Sequence, residues 1–374
     1  MARRNESGGR GGRRTFIKTV GATGALGLTG LAGCTGGDGG DGGDGGDGGD
    51  GGSTTTEQME DELVIYSPIP QDIIGWFEEE TGISVELVTG AGPQTTARFF
   101  SEQESGQYNA DIMYGPTSTY LPNPDTVIEH TRTVTDMGVD RADVMPDELY
   151  DLWESKMPGD IFEHMMPSNT LTHRVFAYSD ELDDPPTSYD DLLGESYNDN
   201  IVAQPFFMDT NAQILIRALG SAEATEEYFQ GLRDQNLLIQ IAEIQPILEG
   251  RVTVSFLATD SGGSITRIDQ GAPIDVTMPS EGVPYTGSAY VMAENAPHPN
   301  AAQRFLEAQL SEGGQQYMQG IKGGRDPLSP DIPHGNETMR QLIEENDPFP
   351  MMLTAEEINE GAEIAKSVWP DLAV

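Results

Sequence analysis

The chain has 374 residues, more than one hydrophobic core usually organises, so two domains are expected and a single small module is excluded. Lys and Arg total 20 against 62 Asp and Glu, a formal charge of −42 that repels nucleic-acid phosphates and anionic lipid headgroups. A single cysteine, Cys34, leaves no internal disulfide framework and no cysteine-based zinc cage.

The amino terminus reverses the charge balance of everything after it: Arg3, Arg4, Arg10, Arg13, Arg14 and Lys18 stand against one acid, Glu6. Thr19 to Gly33 is weakly apolar and Gly-rich. Its roughly 15 residues fall short of the ~20 that a membrane-spanning helix needs. Gly12-Arg13-Arg14-Thr15-Phe16-Ile17-Lys18 resembles a twin-arginine export signal, and Leu31-Ala32-Gly33-Cys34 resembles a lipobox, whose cysteine becomes the lipidated first residue after cleavage. Residues 1–33 are therefore expected to be a signal peptide and Cys34 a lipid anchor on the extracellular face of the membrane.

From Gly36 to Gly52 the repeat is Gly-Gly-Asp, with Asp38, Asp41, Asp44, Asp47 and Asp50 in step. No apolar side chain is available to pack, so residues 34–60 read as a flexible tether. A Gly-rich coil of that length spans roughly 28 Å, at about 5–6 Å times the square root of length. Acidity on this scale destabilises a compact chain by self-repulsion unless ions screen it, and the Debye length falls to about 3 Å near 1 M salt. The lysines are only Lys18, Lys156, Lys322 and Lys366, and the profile resembles secreted proteins of salt-adapted archaea. Dialysis to low salt is expected to unfold the folded body. A denaturation midpoint that does not move with salt contradicts this.

The folded body opens on Leu63-Val64-Ile65-Tyr66, a short apolar run of the kind buried in a parallel sheet. A helix follows, with Ile73, Ile74, Trp76 and Phe77 on its apolar side and Gly82 as its C-cap. Ile83 to Val88 reads as a second strand, Ala97 and Phe100 mark a second helix, and Ala110-Asp111-Ile112-Met113-Tyr114 reads as a third strand. Alternation of this kind argues for a right-handed, mostly parallel α/β sheet. A second alternating segment starts near residue 170. Its strand candidates are Val175 to Tyr178, Ile201 to Ala203, Val252 to Phe256, Ile274 to Met278 and Ser288 to Met292. Helices are expected at Asn211 to Leu219, Ala301 to Leu310 and Ala355 to Val368, with a Pro-rich loop from Pro327 to Pro333.

Several passages are similar to one family. Glu62-Leu63-Val64-Ile65-Tyr66-Ser67 through Glu80-Thr81-Gly82-Ile83-Ser84-Val85, with Ala110-Asp111-Ile112, resembles the opening of extracellular solute-binding proteins of ABC importers. The subgroup it resembles contains ferric-ion, phosphonate, sugar-phosphate and thiamine binders. Pro186-Thr187-Ser188-Tyr189-Asp190-Asp191-Leu192-Leu193 is similar to that family's Pro-x-Ser-Trp-Asp-Asp-Leu-Leu signature, with Tyr189 in place of tryptophan. Gly271 to Val276, Asn300 to Leu306 and Ser311 to Gln315 agree further, so the likeness spans about residues 62 to 333. The resemblance implies a periplasmic-binding-protein-like (type II) α/β fold, with two lobes joined by crossover strands and a ligand cleft between them. The expected boundaries are 61–170 with 282–326 for lobe 1, 171–281 for lobe 2, and a segment 327–374 packing on one or both. It also implies capture of a small solute by a monomer that delivers it to ABC permease subunits.

In open α/β sheets ligands sit beyond the carboxyl ends of strands, where helix N-termini present unpaired N–H groups. The loops there offer Ser67; Gly92, Gln94 and Thr95; Thr117; Asp209, Thr210 and Asn211; and Thr259, Asp260 and Ser261, with Tyr285 just past the return crossover. Helix capping is the ordinary use of such residues, and the two roles can coincide. A cleft of neutral donors suits a small oxyanion such as a phosphonate or sugar phosphate. The loops carry no Lys or Arg, so a cation has to come from Arg98, Arg217 or Arg267.

Ferric relatives carry adjacent tyrosines in the second lobe; the corresponding stretch here, Glu249 to Asp260, has none, which counts against iron. Tyr66, Tyr114, Tyr178 and Tyr285 are the remaining phenols at strand ends. His130, His164, His173, His298 and His334 show no metal-ligand spacing and are expected at the surface. There is no G-x-S-x-G, H-E-x-x-H or Walker loop, and Gly90-x-Gly92 lacks the third glycine of a dinucleotide fingerprint, so neither catalysis nor a cofactor is expected. Two alternatives to import are a sensory binding protein feeding a chemoreceptor or kinase, and a surface hydrolase.

Overall fold

The computed structural model describes residues 59–372 apart from 68, 70, 91, 139, 259–260 and 322–324. The expected export signal, Cys34 and the tether as far as residue 58 lie outside the described residues. Among the described residues no helix is long and apolar enough to cross a membrane.

Strand β1 (Glu62–Tyr66) is the first apolar run, and it pairs in parallel with β2 (Ser84–Val88) on one side and β3 (Ile112–Pro116) on the other. Between β1 and β2, helix α1 (Gln71–Thr81) buries Ile73 and Ile74 and, one turn on along the same face, Phe77. It stops at Gly82, whose φ of +77° an L side chain rarely adopts and whose N–H donates to the Glu78 carbonyl at 2.8 Å. Helix α2 (Gly92–Glu104) turns Phe99 and Phe100 inward. β3 starts two residues later than its apolar run suggests because Asp111 is a buried tie. Its carboxylate accepts the N–H of Val64 at 2.8 Å and that of His298 at 2.6 Å.

Helices α3 (Pro124–His130) and α4 (Asp147–Lys156) fill a stretch that sequence patterning left without elements. The chain then enters β4 (Met166–His173), passes through Arg174 and continues as β5 (Val175–Ser179) in a different sheet. That second sheet has the order β7-β6-β8-β5-β9, with β6 (Ile201–Ala203), β7 (Leu238–Ile239), β8 (Val254–Ala258) and β9 (Ile274–Thr277). β8 pairs from Val254 to Ala258, two residues beyond its expected start. Helices α5 (Met208–Leu219), α6 (Ala222–Asp234), α7 (Gln245–Leu248) and α8 (Ser261–Asp269) belong to this half, and α5 begins three residues ahead of Asn211.

β10 (Pro284–Met292) returns the chain to the first sheet, lying antiparallel between β3 and β4. Helices α9 (Pro299–Leu310) and α10 (Glu312–Ile321) follow, then β11 (Asp326–Pro327) on the outer edge of β4, giving the order β11-β4-β10-β3-β1-β2. Helix α11 (Glu337–Asn346) leads to β12 (Phe349–Pro350), which runs parallel to the start of β10, and to α12 (Ala355–Val368), which packs on α5 and α6. A capping box starts α12: the Thr354 hydroxyl accepts from Glu357 N–H while the Glu357 carboxylate accepts from Thr354 N–H.

Each sheet has its own core. Ile65, Phe77, Phe99, Ile112, Tyr290 and Phe305 anchor the first, with Phe77 edge-on to Phe305 at 5.1 Å. Phe176, Tyr189, Ile201, Leu215, Phe229 and Phe256 anchor the second. Tyr189, standing where the family signature has tryptophan, is fully buried edge-on to Phe176, and its hydroxyl donates to the Gly282 carbonyl at 3.2 Å. The fold is the mixed α/β arrangement of two sheets that the resemblance implied, with β4–β5 and β10 as the crossovers.

Candidate functional site

Where β4 and β10 leave the first sheet, they form one wall of a cleft of about 960 Å³. The register places Thr172 opposite Thr286, and both side chains line that wall. The first half of the molecule adds Pro116 to Tyr120, and the second half adds Phe206, Phe207, Asp209 and Thr210. The carboxyl-terminal stretch closes a further side with Met351 to Leu353, Ile358 and Asn359. It is held there by Lys156 of α4, whose ammonium donates to the Met352 carbonyl at 3.2 Å and pairs with Glu357 at 2.6 Å.

Two arginines reach the cleft, and sequence reasoning had singled out neither. Arg174 sits at the crossover between β4 and β5, its backbone fixed by an N–H donated to the Pro284 carbonyl at 3.3 Å. Its guanidinium is buried, stacked 4.7 Å over the Phe207 ring, and Nη1 has no hydrogen-bond partner among the described residues. Burial pushes Arg174 down to about 10, against the opposing pull of Glu243 and Asp209, so it stays charged at neutral pH. Arg325 also lines the cleft, and its Nε is buried without a described partner. Its charge acts on the hydroxyl of Tyr290, which is buried and likewise unpartnered among the described residues. Asp209 opposes them in part; burial raises its pKa, while the N–H of Thr210, donating at 2.6 Å, favours the carboxylate.

Of the residues expected at the site, the structure brings Thr117, Asp209 and Thr210 into the cleft. Ser67 is fully buried and accepts the Ile69 N–H at 2.7 Å, a local turn. Thr95 is buried in α2 under the Gly90 loop, and Gln94 is exposed on the same helix, which Gly92 opens. Asn211 is buried in the first turn of α5, and its Oδ1 has no described partner. Tyr285 packs on the His173 ring at 5.7 Å, and burial pushes its phenol up to about 12. Thr259 and Asp260 lie outside the described residues, and Ser261 opens α8.

The cations expected from sequence are engaged elsewhere. Arg98 pairs with Glu102 at 2.7 Å, Arg217 stacks 3.7 Å over Phe349, and Arg267 is exposed, with its Nη1 3.5 Å from the Gly263 carbonyl. The histidine expectation also needs correction: His164, His173 and His334 are buried. Each meets a partner supplied from a distant part of the chain or its own loop: Thr131 for His164, Asp326 for His173 and His334. Spacing along the sequence does not reveal such pairings. Among the phenols, Tyr66 donates to Glu102 at 2.7 Å and Tyr114 packs tilted against Tyr290 with ring centroids 4.7 Å apart, so these two do not converge on one point. Among the described residues no group of three His, Cys, Asp or Glu side chains is arranged to hold a metal ion.

The sequence model of the bacterial extracellular solute-binding proteins matches residues 73–340. Among solved structures, iron-bound HitA from Pseudomonas aeruginosa is similar with a TM-score of 0.62 at 19% identity, covering 84% of this chain and 99% of that one. The spermidine/putrescine substrate-binding protein PotD from Streptococcus pneumoniae, in complex with calcium and HEPES, gives 0.63 at 15% identity, covering 83% and 99%. AfuA from Actinobacillus pleuropneumoniae, with fructose-6-phosphate bound, gives 0.58 at 16% identity, covering 83% and 98%. At these identities the likeness is one of fold. No curated protein matches the sequence.

Proposed function

The chain belongs to the bacterial extracellular solute-binding proteins, and from that premise we propose that its cleft captures a small solute bearing an oxyanion, such as a phosphonate or sugar phosphate, for delivery to an ABC permease. One observation carries the choice of solute. In a chain with 62 acids and 20 bases, the cleft presents a buried guanidinium, Arg174, with an unpartnered Nη1 among the described residues, and a second cleft arginine, Arg325, with a buried unpartnered Nε. A buried charge that its neighbours offset only in part is costly, and an oxyanion supplies both further opposite charge and the missing acceptors. The hydroxyls of Thr117, Thr172, Thr286 and Ser288 add neutral donors along the same cleft. Glu104 and Asp209 line the same cleft and balance the two arginines in formal charge, so the choice of an oxyanion rests on the unpartnered guanidinium atoms.

The mechanism is a population shift. A solute touching Arg174 at the crossover, the Pro116 to Tyr120 turn and the start of α5 holds both halves together, and stabilises the closed state by its differential affinity for it. No covalent step is involved. Export by the twin-arginine route, with anchoring through Cys34, places the binder outside the cell beside its permease; acidity and scarce lysine suit it to high salt. The test is a thermal-shift screen in molar salt with phosphonates, sugar phosphates, thiamine, polyamines and Fe(III)-citrate. An oxyanion at a hundred times its Kd adds about 2.7 kcal/mol to stability, a shift of several degrees. A response confined to polyamines or iron contradicts the proposal.

A further inference from the structure

The crossover ladder that forms the cleft wall carries a second polar cluster on its other face. Thr172 and Thr286 pair across β4 and β10 and point into the cleft; side chains alternate along a strand, so the next pair, His173 and Tyr285, points away from it. There the edge strand β11 sets Asp326 against Leu171 and delivers its carboxylate between two imidazoles. His173 Nε2 lies 3.4 Å from one carboxylate oxygen, and His334 Nε2 lies 3.4 Å from the other. Nδ1 of His334 lies 2.9 Å from the Asn336 nitrogen and 3.1 Å from the Asn336 carbonyl oxygen, which fixes the ring in its own loop with Nε2 towards the carboxylate. The chain neighbours of this cluster are the cleft cations: Arg174 follows His173, and Arg325 precedes Asp326.

Resting on the oxyanion reading, we propose that anion binding in the cleft is coupled to protonation of the Asp326 carboxylate between His173 and His334. An anion seated against Arg174 and Arg325 puts negative charge on one face of the ladder, and an ionised Asp326 puts a second on the other. Protonation removes the repulsion. Of the groups facing Asp326, His173 and Tyr285 do not supply the neutralisation. Burial, with a smaller push from His334, lowers His173 to about 3, so it stays neutral, and Tyr285 is a neutral phenol held up to about 12. Glu148 of α4 adds only negative charge nearby. Burial raises Asp326 itself to about 7, where ordinary pH changes titrate it.

Repulsion between unit charges roughly 10 Å apart at an effective dielectric near 20 corresponds to about tenfold in affinity. The experiment is isothermal titration at pH 5.5, 7.5 and 8.5, at one salt concentration and in buffers of differing ionisation enthalpy. Glucose 6-sulfate, whose charge is fixed over this range, is the probe beside glucose 6-phosphate. Glucose 6-sulfate is expected to bind about tenfold tighter at pH 5.5 than at 8.5, with about 0.2 proton taken up per anion at pH 8.5, about 0.5 near pH 7.5 and close to none at 5.5. Asp326→Asn is expected to bind at pH 8.5 as tightly as the unsubstituted protein does at pH 5.5, with no uptake. Its stability also loses a slope: between 3.8 and about 7 the folded chain keeps a proton that the unfolded chain releases, so stability falls with pH across that window only while Asp326 is present. Anion binding with flat affinity and no proton uptake in the unsubstituted protein overturns the inference and leaves the oxyanion reading standing. Failure of both sugar esters, and of phosphonates, to bind at any of these pH values overturns that reading and this inference together.

Discussion

Arg174→Gln is expected to weaken oxyanion binding by about 10- to 100-fold while leaving the folded protein at least as stable as before. A hydrogen bond to a charged group contributes about 1.5–3 kcal/mol, and the planar guanidinium can offer two such bonds to one oxyanion. Without solute, the same group is a cost. It is buried, its Nη1 has no described partner, and burial depresses it to about 10 in spite of Glu243 and Asp209. Removing a buried charge that Glu243 and Asp209 offset only in part relieves the fold, so affinity and stability move in opposite directions. Arg174→Lys keeps the charge without the fork and is expected to lie between the two. Titration calorimetry with the best oxyanion from the screen, beside urea denaturation of each variant, separates the effects. If Arg174→Gln loses stability and keeps its affinity, Arg174 is a structural group and the cleft reading is wrong.

The second large effect lies outside the cleft. At Gly361, in the middle of α12, a Cβ would press on the carbonyl oxygen of Asp209 and come within 2.9 Å of its carbonyl carbon. Both are backbone atoms at the start of α5, so neither can swing aside. Gly361→Ala is expected to cost about 1–3 kcal/mol, the usual penalty for overpacking a tight contact. Because α12 also carries Ile358 and Asn359 to the cleft, and the first turn of α5 carries Asp209 and Thr210, the displacement is expected to lower solute affinity as well. Gly75→Ala in α1 is the control. Nothing lies within 4 Å of its Cβ position, and alanine there is expected to stabilise the helix by about 0.5–1 kcal/mol. Urea midpoints of the two variants check the contrast; equal midpoints would mean that α12 and α5 are not in this contact.

Much of this was legible in the sequence, for a physical reason. Apolar runs such as Leu63 to Tyr66 and Ile201 to Ala203, short and bounded by turn residues, read as strands buried in a sheet, and Gly82 closes α1 because its backbone lies at φ +77°. The turn holding Thr117 and the helix start holding Asp209 and Thr210 follow from the same alternation, since strand ends set where a cleft can form. What patterning missed came from long-range placement. Arg174 is a lone base ahead of an apolar strand, and only the switch between sheets turns it into a cleft residue. Arg325 and Met351 to Asn359 reach the cleft from a tail that local periodicity cannot position. The buried histidines were missed for the same reason, because Asp326 lies far along the chain from His173 and only the pairing of β11 with β4 brings them together. Ser67 shows the opposite failure: a strand-end hydroxyl spent on its own turn.

Small-angle X-ray scattering in molar salt, with and without the oxyanion giving the largest thermal shift, measures closure of the two halves on a solute. A solute that grips both is expected to reduce the radius of gyration and sharpen the distance distribution, and Arg174→Gln is expected to suppress the change. Superimposable curves at saturating ligand, with binding established by calorimetry, would contradict the clamp.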